Sequence, residues 1–127
     1  MEKKILLVAC TLGFLAIIFG AFGAHALKKT LTIEQLNSFE TGVKYQMYHA
    51  LFLLFIGVTQ IITLKEKTVV FYLTLTGVLL FSGSIYALTT NGLTGIKSKL
   101  IGPITPIGGL LLILSWGYLF YVILTKK

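Results

Sequence analysis

The chain has 127 residues, of which 56% are hydrophobic and only 12% are charged. Soluble domains carry about 25% charged residues, so this composition excludes an ordinary water-soluble protein and indicates one that folds in lipid. The net charge of +7 comes from 11 lysines and four glutamates. Because the lysines interrupt apolar runs and do not gather on one polar face, the charge does not indicate a nucleic-acid-binding protein.

Four apolar segments follow one another along the chain, at about 5–27, 45–64, 68–90 and 104–125. Each is close to the ~20 residues that a helix needs to cross a bilayer. The apolar residues are continuous and do not alternate with polar ones, which excludes a β-barrel. We therefore predict an all-α integral membrane four-helix bundle, with residues 1–127 forming a single transmembrane domain.

The segment 28–44 is the longest polar stretch of the chain. Within it, Thr32 and Gln35 have the spacing of a capping box, in which each side chain hydrogen-bonds the backbone of the other. The sequence therefore predicts a short helix on the membrane surface between the first two spans.

Two further signals predict where helices end and begin. The charged triplet Lys65-Glu66-Lys67 predicts a tight turn between the second and third spans. Thr105-Pro106 predicts the start of the fourth span, with a hydroxyl N-cap followed by proline at the first helical position. Residues 91–104 are then expected to form a loop.

Orientation is predicted from the lysines in short loops, which favour the cytoplasmic side. With four spans, both termini share a side with the 65–67 turn. That side has six lysines and the other has five. The count favours cytoplasmic termini by one residue.

The second span carries polar residues at helical spacing. A period of 3.6 residues places Gly42, Gln46, His49 and Gln60 on one stripe with aliphatic residues, and this stripe is expected to face the protein interior. Small residues in the first and third spans, such as Gly13, Gly20 and Gly83, predict close helix contacts.

Several polar residues are predicted to meet at one depth, in the leaflet away from the termini. They are the candidate site of the protein: His25, Gln46, His49, Ser82, Ser84, Tyr86 and Thr105.

Four interpretations of this candidate site remain open. The residues can be hydrogen bonds that join helices. His25 and His49 can ligate haem iron or a transition metal, although no carboxylate or thiolate accompanies them. A small oligomeric transporter would have to couple protons through histidines, because no acid lies within a span. An enzyme is least favoured, since neither an acid to orient a base nor a Gly-x-Ser-x-Gly motif is present.

Four motifs resemble one family over nearly the whole chain. They are Gly20-Ala21-Phe22-Gly23-Ala24-His25-Ala26-Leu27, Thr41-Gly42 with Tyr45-Gln46 and His49-Ala50-Leu51, Leu80-Phe81-Ser82-Gly83-Ser84-Ile85-Tyr86, and Ile104-Thr105-Pro106-Ile107-Gly108-Gly109. In this order they are similar to the YgdD/YwdK-like family of small bacterial inner-membrane proteins, also called domain of unknown function 423. The resemblance implies a multi-pass bacterial inner-membrane protein with cytoplasmic termini and no assigned activity.

Residues and resemblance together lead to one functional hypothesis. We expect an accessory or structural membrane protein that binds at most a small ligand or lipid headgroup and has no resident cofactor. A transporter or haem-binding subunit is the alternative. Lipid is the expected partner, nucleic acid is not, and the outer helix faces leave room for a homo-oligomer that the sequence does not distinguish from a monomer.

Overall fold

The computed structural model describes residues 1–91, 95 and 101–127. Four long helices make up most of this part of the chain: α1 (Glu2–His25), α2 (Ile33–Val58), α3 (Leu64–Thr89) and α4 (Ile104–Thr125). A short 3-10 turn, Leu27–Lys29, follows α1. Most of the loop predicted for residues 91–104 lies outside the described residues.

Consecutive helices run in opposite directions. Gly13 of α1 faces Ala50 of α2, and Gly23 faces Phe39. Residues later in α1 thus lie beside residues earlier in α2. In the same way Ser82 of α3 reaches the Gly42 carbonyl near the start of α2. The helices α1 and α3 are therefore parallel to each other, and α2 is antiparallel to both.

The fourth helix packs mainly on α3. A Cβ atom built on Gly108 would clash with the backbone nitrogen of Phe81, so the two backbones touch where only glycine fits. Nearer the middle of the same pair, the hydroxyls of Thr74 and Ser115 hydrogen-bond each other and both residues are fully buried. Small residues at the contact let helices approach closely in lipid, where dispersion and hydrogen bonds replace the hydrophobic effect.

The apolar core is formed by all four helices, and α4 contributes Leu112, Leu119 and Val122. Its most deeply buried side chains are Ile5, Leu53, Ile56, Val70, Phe71 and Val78. The large apolar side chains on the outer faces remain exposed, Phe14 and Ile113 among them, as expected for surfaces that contact lipid. The fold class predicted from the sequence, an all-α membrane helical bundle, is confirmed.

The predicted surface helix is part of a longer helix. The Thr32 and Gln35 capping box is present, with Gln35 N donating to the Thr32 hydroxyl over 3.1 Å. However, the helix that it starts continues without a break to Val58. The prediction of a separate surface helix was wrong, because no proline lies between Ile33 and Val58 to break the helix.

The turn between the second and third spans lies earlier than predicted. The helix α2 ends at Val58 and α3 begins at Leu64, so Lys65, Glu66 and Lys67 are helical. A second capping box causes this, in which Glu66 accepts a hydrogen bond of 2.8 Å from Thr63 N and donates its own N–H to the Thr63 hydroxyl. The Thr-x-x-Glu spacing carried this signal in the sequence.

The start of the fourth helix also differs from the prediction. It begins at Ile104 with Pro103 at the N-cap, not with a cap from Thr105. The Thr105 hydroxyl hydrogen-bonds Ser84 of α3 instead, so it is not used at the helix end.

Among the described residues, three helical segments are long and apolar enough to cross a membrane: Glu2–Lys29, Leu64–Thr89 and Ile104–Thr125. The helix α2 is not among them, although its 26 residues span about 39 Å at a rise of about 1.5 Å per residue. Polar side chains occupy its first half and lower its hydropathy. Most of these side chains are exposed, including Glu34, Glu40 and Lys44, whereas Gln46 and His49 further along the helix are buried.

Candidate functional site

The side chain of Gln46 joins three helices. Its Nε2 donates to the Leu12 carbonyl of α1 over 2.8 Å, and its Oε1 accepts from the Tyr86 hydroxyl of α3 over 2.7 Å. Gln46 is 3% exposed, so both ends of the amide are satisfied away from water. The hydroxyl of Ser82 adds a parallel link from α3 to the Gly42 carbonyl of α2 over 2.7 Å.

The imidazole of His49 is used at both nitrogens. Its Nδ1 lies 2.7 Å from the Tyr45 carbonyl, which can only accept, so Nδ1 carries the proton. Its Nε2 then accepts the indole N–H of Trp116 over 3.0 Å. One neutral tautomer satisfies both contacts, and neither nitrogen is left to ligate a metal.

A third polar contact lies between α3 and α4. The Ser84 and Thr105 hydroxyls hydrogen-bond each other, and the Ser84 hydroxyl also lies 2.9 Å from the Phe81 carbonyl. Ser84 is buried, so both of these hydrogen bonds lie inside the protein.

The histidines predicted to share a metal are not brought together. Gly13, at the middle of α1, faces Ala50, which adjoins His49. His25 is the last residue of α1 and is exposed, about 18 Å further along the helix axis at about 1.5 Å per residue. A single iron or zinc ion with ligand bonds near 2 Å cannot take both histidines of one molecule. In the described part of the chain, groups of three His, Cys, Asp or Glu side chains suitable for a metal are also absent.

The candidate site is therefore not one cluster at one depth. Along the bundle axis it extends from His49, at the middle, to His25 and Thr105, at the end away from the chain termini. Gln46, Ser82 and Tyr86 form one group, Ser84 and Thr105 a second, and His49 with Trp116 a third.

A groove lies beside the third group, between α2 and α4 with α3 as its floor. Its volume is about 500 Å³, within the roughly 300–1,000 Å³ of small-ligand pockets. We call it the α2–α4 groove, and its lining is mostly aromatic and aliphatic: Tyr45, His49, Phe81, Gly109, Leu112, Ile113 and Trp116.

Sequence reasoning missed the residues that complete these contacts. Trp116 lies near the centre of α4, whereas tryptophan normally lies at membrane interfaces. An indole N–H at that depth needs an acceptor, which was a signal that a polar partner would be found on another helix. Thr74 and Ser115 were missed because single hydroxyls in apolar spans are common.

The end of the bundle that carries the termini has its own polar contacts. Lys67, only 3% exposed, forms an ion pair with Glu2 of α1 and donates to the Gly57 carbonyl of α2 over 3.3 Å. On the same side Lys126 pairs with Glu66, which ties the end of α4 to the start of α3. Within the described residues, every buried side-chain nitrogen and oxygen has a hydrogen-bond partner.

Comparison with known proteins gives consistent matches over most of the chain. The family model described as protein of unknown function (DUF423) matches residues 19–109. A UPF0382 membrane protein of Staphylococcus saprophyticus is 41% identical over 90% of this chain and 91% of its own length. The UPF0382 membrane protein YwdK of Bacillus subtilis is 34% identical over 90% of each chain.

A more distant relative matches over a similar length. The UPF0382 inner membrane protein YgdD of Escherichia coli is 32% identical over 91% of this chain and 85% of its own length. No solved structure gives a significant match. The resemblance seen in the four motifs is thus confirmed by the family model and by relatives from several bacteria, and the chain belongs to the DUF423 family of membrane proteins.

Proposed function

We propose that this protein is an accessory membrane protein of the bacterial inner membrane, whose polar residues join its four helices and do not act on a substrate. The observation that carries the proposal is the use of Gln46, which hydrogen-bonds α1 and α3 at the same time. A transport or catalytic site needs polar atoms that can change partners. The buried polar atoms of the described residues already have partners within the protein.

The proposal includes four crossings of the membrane. The helix α2 is antiparallel to both α1 and α3, and those two are apolar enough to span. A chain that crosses in α1 and crosses again in the same direction in α3 must return between them. The exposed charged residues of α2, Glu34, Glu40 and Lys44, lie in its first half, and the polar residues Gln46 and His49 further along are buried against its neighbours, so they do not oppose this crossing.

The proposal also places both termini in the cytoplasm. The lysine count favours that side by six to five. The Escherichia coli relative is named an inner membrane protein, and this supports the same membrane for the present chain.

Thermal stability of single variants in nanodiscs tests the structural role. Replacing Gln46 with leucine leaves the Tyr86 hydroxyl without its acceptor and removes the side-chain hydrogen bond to the Leu12 carbonyl, so we expect a lower melting temperature. Interhelical hydrogen bonds in membranes contribute about 0.6–2 kcal/mol, and the loss is expected in that range. The matched control is Gln60→Leu, since Gln60 is exposed in the connection after α2.

The same preparations separate the proposal from its alternatives. A structural role predicts that Gln46→Leu is less stable than Gln60→Leu. An unchanged melting temperature for Gln46→Leu would contradict it. A stoichiometric haem absorption band that disappears in His25→Ala and His49→Ala would replace it with a haem-binding role.

A further inference from the structure

We infer that the α2–α4 groove binds one anionic phospholipid of the leaflet away from the chain termini, with an acyl chain in the groove and the phosphate near Lys44. This goes beyond the structural role proposed above, because the bundle contacts of Gln46, Ser82 and Thr74 do not depend on an occupant of the groove.

The chemistry of the groove suits an acyl chain. Its lining has no formal charge, and its floor and walls are formed by Phe81, Leu112 and Ile113. It opens sideways, since Ile113 is 68% exposed and Trp116 is 51% exposed on the outer face of α4. At this depth only hydrocarbon surrounds the protein, so an apolar chain can enter without crossing water.

The rim of the groove suits a lipid headgroup. Tyr45 lines the groove and is 40% exposed, and its hydroxyl has no partner among the described residues. Such a hydroxyl at a membrane interface can donate to an ester or phosphate oxygen. Tyr48 packs beside it, with the two ring centroids 5.6 Å apart, and widens this aromatic rim.

Charge selects the class of lipid. Lys44 precedes Tyr45 on α2, is exposed, and forms no ion pair with any carboxylate of the described residues. Long lysine side chains extend along apolar surface toward the interface, which places the ammonium near lipid phosphates. One such lysine favours an anionic headgroup over a zwitterionic one by about fivefold.

Trp116 reports directly on the groove, because it is the one tryptophan of the chain and lines the site. Bromine atoms on an acyl chain quench a tryptophan that they touch. The probe is dioleoylphosphatidylglycerol brominated at its double bonds, titrated into the full-length protein in detergent. The same titration with brominated phosphatidylcholine measures headgroup preference.

Two substitutions with one matched control separate specific binding from general lipid contact. A leucine at Gly109 fills the groove, whereas a Cβ at Gly83 has nothing within 4 Å, so Gly83→Leu changes a lipid-facing position elsewhere. Lys44→Gln removes the cation, and Lys28→Gln removes an exposed lysine at the same end of the bundle.

The expected result is quenching that saturates near one phosphatidylglycerol per protein in the parent, Gly83→Leu and Lys28→Gln. Gly109→Leu should lose the saturable phase, and Lys44→Gln should lose about fivefold of the preference for phosphatidylglycerol. Equal, unsaturable quenching by both lipids in the parent overturns the inference, as does Gly109→Leu behaving like the parent. If Gly109→Leu does not fold, the parent and Lys44→Gln titrations decide the question.

Discussion

Trp116, near the centre of α4, donates its indole N–H to Nε2 of His49 on α2 over 3.0 Å. The ring of Phe52 packs against the same indole, with centroids 4.2 Å apart. The helix α4 packs mainly on α3, and it contacts α2 through Trp116, which meets His49 and Phe52. Trp116 therefore joins α4 to α2 through a hydrogen bond and a ring contact.

We expect His49 and Trp116 to be energetically coupled. His49→Phe leaves the indole N–H without an acceptor in lipid, and Trp116→Phe leaves Nε2 without its donor. A double-mutant cycle of melting free energies in nanodiscs should give a coupling of about 0.6–1.7 kcal/mol. Tryptophan emission should also shift to shorter wavelength in His49→Phe, because the indole loses its hydrogen bond. Strictly additive effects and an unshifted emission would show that the contact contributes nothing.

The contact at Gly108 predicts a large effect from one methyl group. Gly108→Ala places Cβ against the backbone of Phe81, where neither helix can yield by a rotamer change. We expect a destabilisation of at least about 1–3 kcal/mol, as for overpacked cores, or separation of α4 from α3. Gly83→Ala is the control, with nothing near its Cβ and an expected effect within about 0.5 kcal/mol. Equal melting temperatures for the two variants would contradict this packing.

The ion pair of Lys67 and Glu2 predicts unequal effects of its two partners. Lys67 is 3% exposed and Glu2 is 57% exposed. Removing the carboxylate in Glu2→Gln leaves a buried ammonium with only the Gly57 carbonyl, so this variant should melt at a lower temperature than Lys67→Met, which removes the charge itself. Lys126→Met should have the smallest effect, because the Lys126 side chain is 31% exposed whereas that of Lys67 is 3% exposed. The prediction fails if Glu2→Gln is as stable as the parent.

Orientation is best tested with cysteines at exposed lysines on opposite sides. Lys65 is exposed on the side of the termini and Lys28 is exposed on the other, whereas Lys67 is buried and would react poorly. After replacement of Cys10, we expect a membrane-impermeant maleimide to label Lys28→Cys but not Lys65→Cys in spheroplasts. Permeabilised cells provide the control, in which both should react. Labelling of position 65 alone from outside would reverse the orientation.

Local patterns in the sequence determined the helices. An apolar run predicts a membrane-spanning helix when its length matches the thickness of a bilayer, and this comparison needs no tertiary structure. The buried stripe of α2 followed from helical periodicity, and Gly42, Gln46 and His49 are buried as predicted. Gln60 is exposed instead, because the capping box of Thr63 and Glu66 starts α3 and leaves Gln60 in the connection.

Only the tertiary structure decided which polar atoms meet. Hydropathy gives each residue a depth to within a turn or two, but a hydrogen bond requires two atoms to lie within about 3.5 Å. That precision comes from the register of packed helices, which contacts such as Gly108 against Phe81 determine. Hence the sequence placed His25 and His49 in one leaflet, while packing separated them and paired His49 with Trp116, a residue 67 positions away in the chain.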